Sequence, residues 1–533
     1  MVDEISRGRT IVLPRGTPSF PQNDGGAWKM GVWVPAGVNP ASRATWHFIS
    51  NSSRAPTNRR RLLVYSAWVS PGRPQTIGEV RASGHKRETV KQEMRRNLLT
   101  RLRSGEPLLE GIVGYDDTVL PQLSNAVISG HDVILLGERG QAKSRIMRSL
   151  VSLLDPEVPG IAGCEINDHP FAPICRRCLD LVAKDGDKVE VEWIERDRRY
   201  GEKLATPDIS IADLIGEVDP IKVAEGRYLS DELTIHYGLL PRTNRGIFGL
   251  NELPDLAERI QVGLLNIMEE KDVQIRGYRV RLPLDLFVIA SANPEDYTSR
   301  GRIITPLKDR FGSQVRTHYP LSIGEEMQIM EAERHPVPED FELIFPSFMK
   351  EIVAELTHLA RRSPHISQSS GVSVRMSIAN FENLASNSVR RAARLGETVA
   401  VPRITDLAFL ASSTAGRVEI EALDEGKEEQ VLSRLERGAV SAVFSRHFSA
   451  SQFDGVVAKF EEGTMLEVGE GIPARTYTRA FGDLAELATA LKKLNLPDRP
   501  EVRASVIEFL LEGLHLNKRL NKDEVDGRAV YRR

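Results

Sequence analysis

The stretch Gly137-Glu138-Arg139-Gly140-Gln141-Ala142-Lys143-Ser144 nearly matches the pattern G-x-x-x-x-G-K-[ST]. In such a loop the backbone N–H groups of positions like Glu138, Arg139, Gly140, Gln141 and Ala142 surround anionic phosphates, the lysine reaches the outer ones and the hydroxyl ligates Mg²⁺. Gly137, Lys143 and Ser144 fit, and Ala142 stands where the last glycine belongs. The added methyl removes no backbone donor, and the position is expected to be helical, so that Ala142 need not adopt φ > 0. Four further positions have the types that nucleotide hydrolysis needs. Asn251 and Glu252 occupy the place of an Asp-Glu pair, with Glu252 the candidate base and Asn251 the candidate Mg²⁺ partner. Asn293 is suited to polarise the attacking water, and Arg310 to stabilise transition-state charge from outside its own site. Arg375 opens a later helix as a further candidate cation. Each also has a plain reading: Asn293 as a turn former, the two arginines as surface ion-pair residues.

These residues need elements to hold them. HDVILLG reads as a buried strand feeding the loop, and KSRIMRSLVSLL as the helix after it. RGIFGLNELPDL carries a short apolar strand through Ile247, Phe248 and Leu250 that ends at Asn251, and LDLFVIASANPEDY a second that delivers Asn293 to the same sheet edge. Upstream, GYDDTVLPQLSNAVISG is a helix closed by Gly130, and Val90, Met94, Leu98, Leu99 and Leu102 recur at helical spacing. Helices are also expected over about 348–362 and from Arg375 onward. The fold class is therefore α/β, a parallel sheet flanked by helices, with further helical regions behind it.

The run from about Gly111 to Arg417 resembles an AAA+ ATPase of the group that holds the magnesium chelatase I subunit and the MoxR-type ATPases. The resemblance is carried by YGLLPRTNRGIFGLNEL, Tyr237 to Leu253, and by SANPEDYTSRGRIITPLKDRFG. It implies ATP and Mg²⁺ as cofactors and a head-to-tail ring, a homo-hexamer by family, in which Arg310 completes a neighbour's site. It also implies a protein client, typically one with a von Willebrand A domain. The replicative MCM helicases of the same wider clade have alanine before the lysine, so the resemblance implies that Ala142 is compatible with hydrolysis. TPDISIADLIGEVDPIKVAEG, Thr206 to Gly226, is similar to the helix-2 insert of these enzymes. KDVQIRGYRVRLP alternates around Arg276-Gly277 as a hairpin, on which Arg276, Arg279 and Arg281 either touch a substrate or line an ordinary solvated face.

The chain departs from the family between Cys164 and Trp193, where CEINDHPFAPICRRC offers Cys164, His169, Cys175 and Cys178. This is a tetrahedral Zn²⁺ set or a plain surface loop. The layout expected is an N-terminal extension over 1–75, an α/β ATPase domain with both inserts over 76–323, a helical lid over 324–420 and a helical region over 421–533. The extension holds four of the five tryptophans but no sustained periodicity. With 533 residues, 41% hydrophobic and 27% charged, the chain is long enough for several cores. A formal charge of −3 gives no basic excess to announce nucleic acid. There is no apolar run of membrane length and no secretory signal, so the cytoplasm is expected, and three cysteines fit a reducing compartment. The expected function is an ATP-hydrolysing remodeller of a protein partner. The alternatives are a genuine chelatase ATPase subunit in tetrapyrrole synthesis, a nucleotide-gated scaffold with little turnover that Asn251 favours, and a DNA helicase, for which no basic zinc-bearing domain precedes the motor.

Overall fold

The computed structural model describes residues 73–218, 234–269, 273–275, 278–280, 282–293, 302–367, 371–421, 427–481, 483–525 and 528–533. Residues Gln75 to Arg533 form one compact unit. Its centre is a five-stranded sheet of β1 (Val133–Leu136), β2 (Tyr200–Leu204), β3 (Gly246–Asn251), β4 (Leu286–Ala292) and β5 (Ser313–Arg316). The strand order is β5-β1-β4-β3-β2, and every neighbouring pair is parallel. Parallel strands covered on both faces should be apolar nearly throughout. β3 and β4 meet that condition, and their side chains sort by the two-residue period of a strand. Ile247, Phe287 and Ile289 face one core, whereas Phe248, Leu250, Val288 and Ala290 face the other.

The first of these cores is closed by α1 (Val90–Ser104), α2 (Val119–Ser129) and α3 (Lys143–Ser149). α1 starts in a capping box between Thr89 and Gln92, and α2 stops at Gly130, whose φ of 71° is the left-handed conformation that glycine adopts without strain. The other core is closed by α4 (Glu258–Glu269) and α5 (Thr305–Arg310), and by the insert over 157–195. In that insert, strands Glu157–Ile161 and Val191–Glu195 pair antiparallel and bracket a helix, Arg176–Asp185.

The remaining helices build a separate core. α6 (Ile323–Glu333), α7 (Ser347–Arg362), α8 (Val374–Leu395), α9 (Glu428–His447) and α10 (Pro500–Leu516) contribute to one continuous apolar cluster from Met330 to Tyr531. The lid stretch and the C-terminal stretch thus share a core, with α10 buried nearly all round at its centre. The chain end, within the 421–533 stretch expected to be helical, is instead part of a three-stranded antiparallel sheet, Leu466–Val468 beside Arg528–Arg532 beside Asn521–Val525. The alternation around Val530 and buried Tyr531 outweighs the charge of the segment.

The alternating segment before β4 is a hairpin of Val273–Ile275 and Tyr278–Val280. Arg276, Arg281 and the side chain of Arg279 lie outside the described residues, as does the part of the Thr206–Gly226 insert beyond Val218. Among the described residues, no helix is long and apolar enough to cross a membrane.

Candidate functional site

Open parallel sheets gather ligands at the carboxyl ends of their strands. β1 ends at Leu136 and runs into the Gly137 loop, β3 ends at Asn251 and β4 at Ala292, one residue before Asn293. Leu136 and Ala292 are register partners, and the Gly137 N–H donates to the Ala292 carbonyl at 3.2 Å. The sheet therefore brings Lys143, Ser144, Asn251 and Asn293 to one edge. Lys143 Nζ donates to the Glu138 carbonyl at 2.7 Å and to Asn293 Oδ1 at 2.8 Å, and also reaches the Gly137 carbonyl. Ser144 Oγ donates to Asn251 Oδ1 at 3.0 Å.

The loop is held from beneath by groups that the sequence pattern does not reveal. Gln141 turns its side chain inward, where Oε1 accepts the Glu138 N–H at 3.1 Å and the Thr317 hydroxyl at 2.7 Å. Only the backbone of Gln141 is left to face a ligand. The Tyr115 hydroxyl donates to the Gln141 and His318 carbonyls at 3.0 and 2.7 Å, and burial pushes its pKa up to about 12. A Cβ on Gly137 would lie 2.0 Å from Thr317 Oγ1, so glycine is required there. The carbonyl of exposed Arg139 accepts the Tyr319 hydroxyl at 3.0 Å, and the Arg361 guanidinium of α7 covers the Tyr319 ring at 4.4 Å. Gly140, at φ 76°, abuts Ser373 just before α8.

Ala142 is not helical. Its φ of 55° and ψ of 15° lie in the left-handed region, because the chain must reverse from the loop into α3 at this residue. The expectation that the position is helical and that Ala142 needs no positive φ is corrected. A Cβ in that conformation costs about 1–2 kcal/mol relative to glycine.

Asn251 also differs from what its position suggests. Its amide Nδ2 donates to Glu202 Oε1 of β2 at 2.5 Å, while Oδ1 accepts Ser144 and, at 3.1 Å, Ser291. Glu202 is gripped by Arg148 through two hydrogen bonds of 2.7 and 2.9 Å. That guanidinium, ahead of the Tyr200 and Asn251 donors and against partial burial, holds the Glu202 carboxyl below the usual range. A carboxylate is thus present one hydrogen bond away from where a hydrolase carries its aspartate. Sequence reading missed Glu202 because it lies on a strand distant in the chain, and only the parallel pairing of β2 with β3 makes it a neighbour. Glu252, at φ 56°, donates its backbone N–H to Ser291 Oγ at 3.1 Å, and among the described residues its carboxylate has no hydrogen-bond partner.

The two candidate arginines do not join this cluster. Arg310 is exposed at the end of α5 and ion-paired to Glu269 at the end of α4. Arg375 is exposed in the first turn of α8, two residues beyond the Ser373 that abuts Gly140. Beside the loop is a pocket lined mostly by apolar residues, among them Ile112, Val113, Ala142 and Val374, with the Arg145–Glu333 ion pair also on its wall.

In the insert, Cys164, Cys175 and Cys178 converge, but His169 does not join them. Asp168 takes its place, with its carboxylate among the three sulfurs. His169 Nδ1 instead accepts the Phe171 N–H at 3.0 Å and its ring stacks on His85, where burial lowers its pKa to about 3.

The strand order and the loop with its lysine, serine and two asparagines give the chain the fold of the AAA+ P-loop class. Within that class it is related to the magnesium chelatase I subunits. It is 26% identical over 263 residues to the magnesium-chelatase subunit ChlI of Nostoc sp., covering 47% of this chain and 63% of that one. It is 27% identical over 232 residues to the magnesium-chelatase 38 kDa subunit of Rhodobacter capsulatus, covering 41% and 58%. With the chloroplastic subunit ChlI-1 of Arabidopsis thaliana it shares 30% over 248 residues, covering 43% and 53%. The chain spans about three fifths of the length of the first two of these relatives. Among solved structures, the BchI–BchD complex of magnesium chelatase matches 60% of this chain and 97% of that one at 21% identity, with a TM-score of 0.31. No family model matches the chain.

Proposed function

We propose that the protein binds and hydrolyses ATP with Mg²⁺ and uses the cycle to remodel or activate a protein partner from within a ring. The observation that supports this reading most is the meeting of Lys143, Ser144, Asn251 and Asn293 at the ends of three adjacent parallel strands. The residues fit the nucleotide. The 137–144 loop offers its backbone N–H groups to phosphates in a turn too tight at Gly137 for any side chain, and the pocket walled by Ile112 and Val374 suits an adenine ring. The Ser144 hydroxyl and Asn251 Oδ1 are hard oxygen donors of the kind Mg²⁺ takes. Lys143 exchanges its carbonyl contacts for the outer phosphates, Glu252 aligns and deprotonates the attacking water, and Asn293 orients it.

Arg310 stands apart from its own cluster, which supports a role across an interface in a homo-hexameric ring. Arg375 acts from the lid on the phosphates. The lid over 324–420, which abuts the loop at Ser373 and covers the loop-bonded Tyr319 with Arg361, carries nucleotide state to the 76–323 domain, while 421–533 extends the lid core and the 1–75 extension takes no part. The client is a protein, in this clade one with a von Willebrand A domain, and the setting is the cytoplasm. A nucleotide-gated scaffold is the second reading, favoured by the neutral amide at Asn251. Measuring fluorescent ATP binding and phosphate release separates them: the proposal expects Mg²⁺-dependent turnover that Lys143→Ala abolishes together with binding. Tight binding with no turnover would leave the scaffold. Binding untouched by Lys143→Ala would remove the site altogether.

A further inference from the structure

All three cysteines of the chain converge in the insert between strands Glu157–Ile161 and Val191–Glu195. Cys164 lies in the turn after the first strand. Cys175 is the N-cap of helix Arg176–Asp185, and Cys178 is in its first turn. With a carboxylate oxygen of Asp168, the three sulfurs lie within 4.8 Å of one another, and all four residues are buried. We propose that Cys164, Cys175, Cys178 and Asp168 bind a thiophilic divalent cation, Zn²⁺ by the chemistry of the set, as a structural staple of the insert.

The geometry suits a tetrahedron. With Zn–S bonds of about 2.3 Å, ligand atoms sit about 3.8 Å apart, so the cluster needs a contraction of no more than about 1 Å to close on an ion. Three thiolates and one carboxylate in a four-fold set select zinc over the hard cations Mg²⁺ and Ca²⁺.

A second observation is independent of the spacing. Asp168 is fully buried, and although Oδ2 accepts the Cys175 N–H at 3.0 Å, Oδ1 has no hydrogen-bond partner. A buried carboxylate oxygen left without a partner is costly, and a cation bound among the sulfurs would satisfy it. The sulfurs themselves are arranged as acceptors. Cys164 Sγ accepts the Asp168 N–H at 3.4 Å, Cys175 Sγ the Cys178 N–H at 3.4 Å, and Cys178 Sγ faces an Arg177 N–H at 3.9 Å. Each thiol thus has a donor directed at it, which is the environment of a thiolate ligand with an ordered outer shell.

Charge balance agrees. Four anionic ligands around a divalent ion leave a net charge of −2, and two guanidinium groups stand nearby. One is Arg177, and the other is buried Arg245, which donates to the Pro159 carbonyl at 2.7 Å and reaches the Asn167 carbonyl at 3.4 Å. A disulfide serves the cluster less well, since joining Cys175 to Cys178 would strand a third buried thiol beside a buried carboxylate. The staple would tie the 161–168 turn to the start of helix Arg176–Asp185. The same turn docks on the approach to β3, where Asn167 Nδ2 donates to the Arg242 carbonyl at 2.9 Å and Asn244 Nδ2 to the Ile166 carbonyl at 3.0 Å. Because this is the end of β3 away from Asn251, the ion is assigned a role in folding and none in ATP chemistry.

The test is metal content of the purified full chain, followed by replacement with Co²⁺. The proposal expects about one zinc per chain, released when a mercurial blocks the thiols, and a Co²⁺ form with intense sulfur-to-cobalt charge-transfer bands and tetrahedral d–d bands. Asp168→Asn, which keeps the shape and loses the charge, should weaken metal retention at least tenfold against a competing chelator, whereas His169→Ala should keep the full equivalent. Cys175→Ser should lose the metal. Should that variant fail to fold, the Co²⁺ spectrum of the unmutated protein still decides. Overturning results are a metal-free native protein whose Co²⁺ form lacks thiolate bands, a native Cys175–Cys178 disulfide in its mass, or metal lost with His169→Ala and retained with Asp168→Asn.

Discussion

At the scale of single residues, the site turns on Ala142 and on the Asn251–Glu202 pair. The alanine was legible as an exception, but its cost was not, since φ depends on how the loop meets α3 and no spacing encodes that. Relieving the left-handed alanine with glycine should stabilise the nucleotide-free protein by about 1 kcal/mol, seen as a rise in melting temperature on the order of 1–3 °C. An unchanged or lower melting point for Ala142→Gly would mean that the loop relaxes away from that conformation. Asn251 makes a sharper case. Replacing it with aspartate alone removes the N–H that Glu202 accepts and sets two carboxylates in its place, 2.5 Å being the present separation. Like charges at that distance do not both ionise near neutral pH, so Asn251→Asp alone should not lower the Mg²⁺ concentration needed for half-maximal turnover. Combined with Glu202→Gln, which restores the donor–acceptor pair in reverse, it should lower that concentration clearly. A single Asn251→Asp that already does so, with no further gain from the second change, would show that Glu202 is not coupled to the metal position.

At the scale of elements, the five parallel strands were readable where they are apolar throughout. The phases of Ile247 through Leu250 and of Phe287 through Ala290 sort onto two cores as a two-faced strand requires. β2 escaped because YGEKL mixes charge into a short edge strand whose identity comes from pairing with β3. The same long-range pairing hid Glu202. The C-terminal hairpin escaped for a different reason: its signal, Asp526-Gly527 between alternating residues, is a two-residue turn pattern overshadowed by the surrounding charge. α5 belongs to this scale too, because it carries Arg310 away from its own loop to pair with Glu269. In a ring, Arg310→Ala should bind ATP and fail to hydrolyse it, and mixing it with Glu252→Gln should recover partial turnover at interfaces where an intact arginine meets an intact glutamate. Mixed rings that form and remain inactive would reduce Arg310 to an ion-pair residue.

At the scale of the whole molecule, length and composition indicated several cores, and the structure resolves two around the sheet and one among the helices. What composition did not indicate is that residues beyond 420 complete the lid core, with Phe348 of α7 stacked on Phe509 of α10 at 4.3 Å. A chain cut after residue 420 would expose that face, and it should be insoluble or aggregate in size-exclusion chromatography. A monodisperse, ATP-binding truncated protein would contradict the shared core. Under the proposed function the cluster at the strand ends performs hydrolysis and Glu252, whose carboxylate has no hydrogen-bond partner among the described residues, is the base. Single-turnover hydrolysis of radiolabelled ATP by Glu252→Gln beside the unmutated protein tests it most directly. With Glu252 as the base, ATP affinity is unchanged and the hydrolysis rate falls by a factor on the order of 10²–10⁴. Equal rates in the two proteins would contradict it.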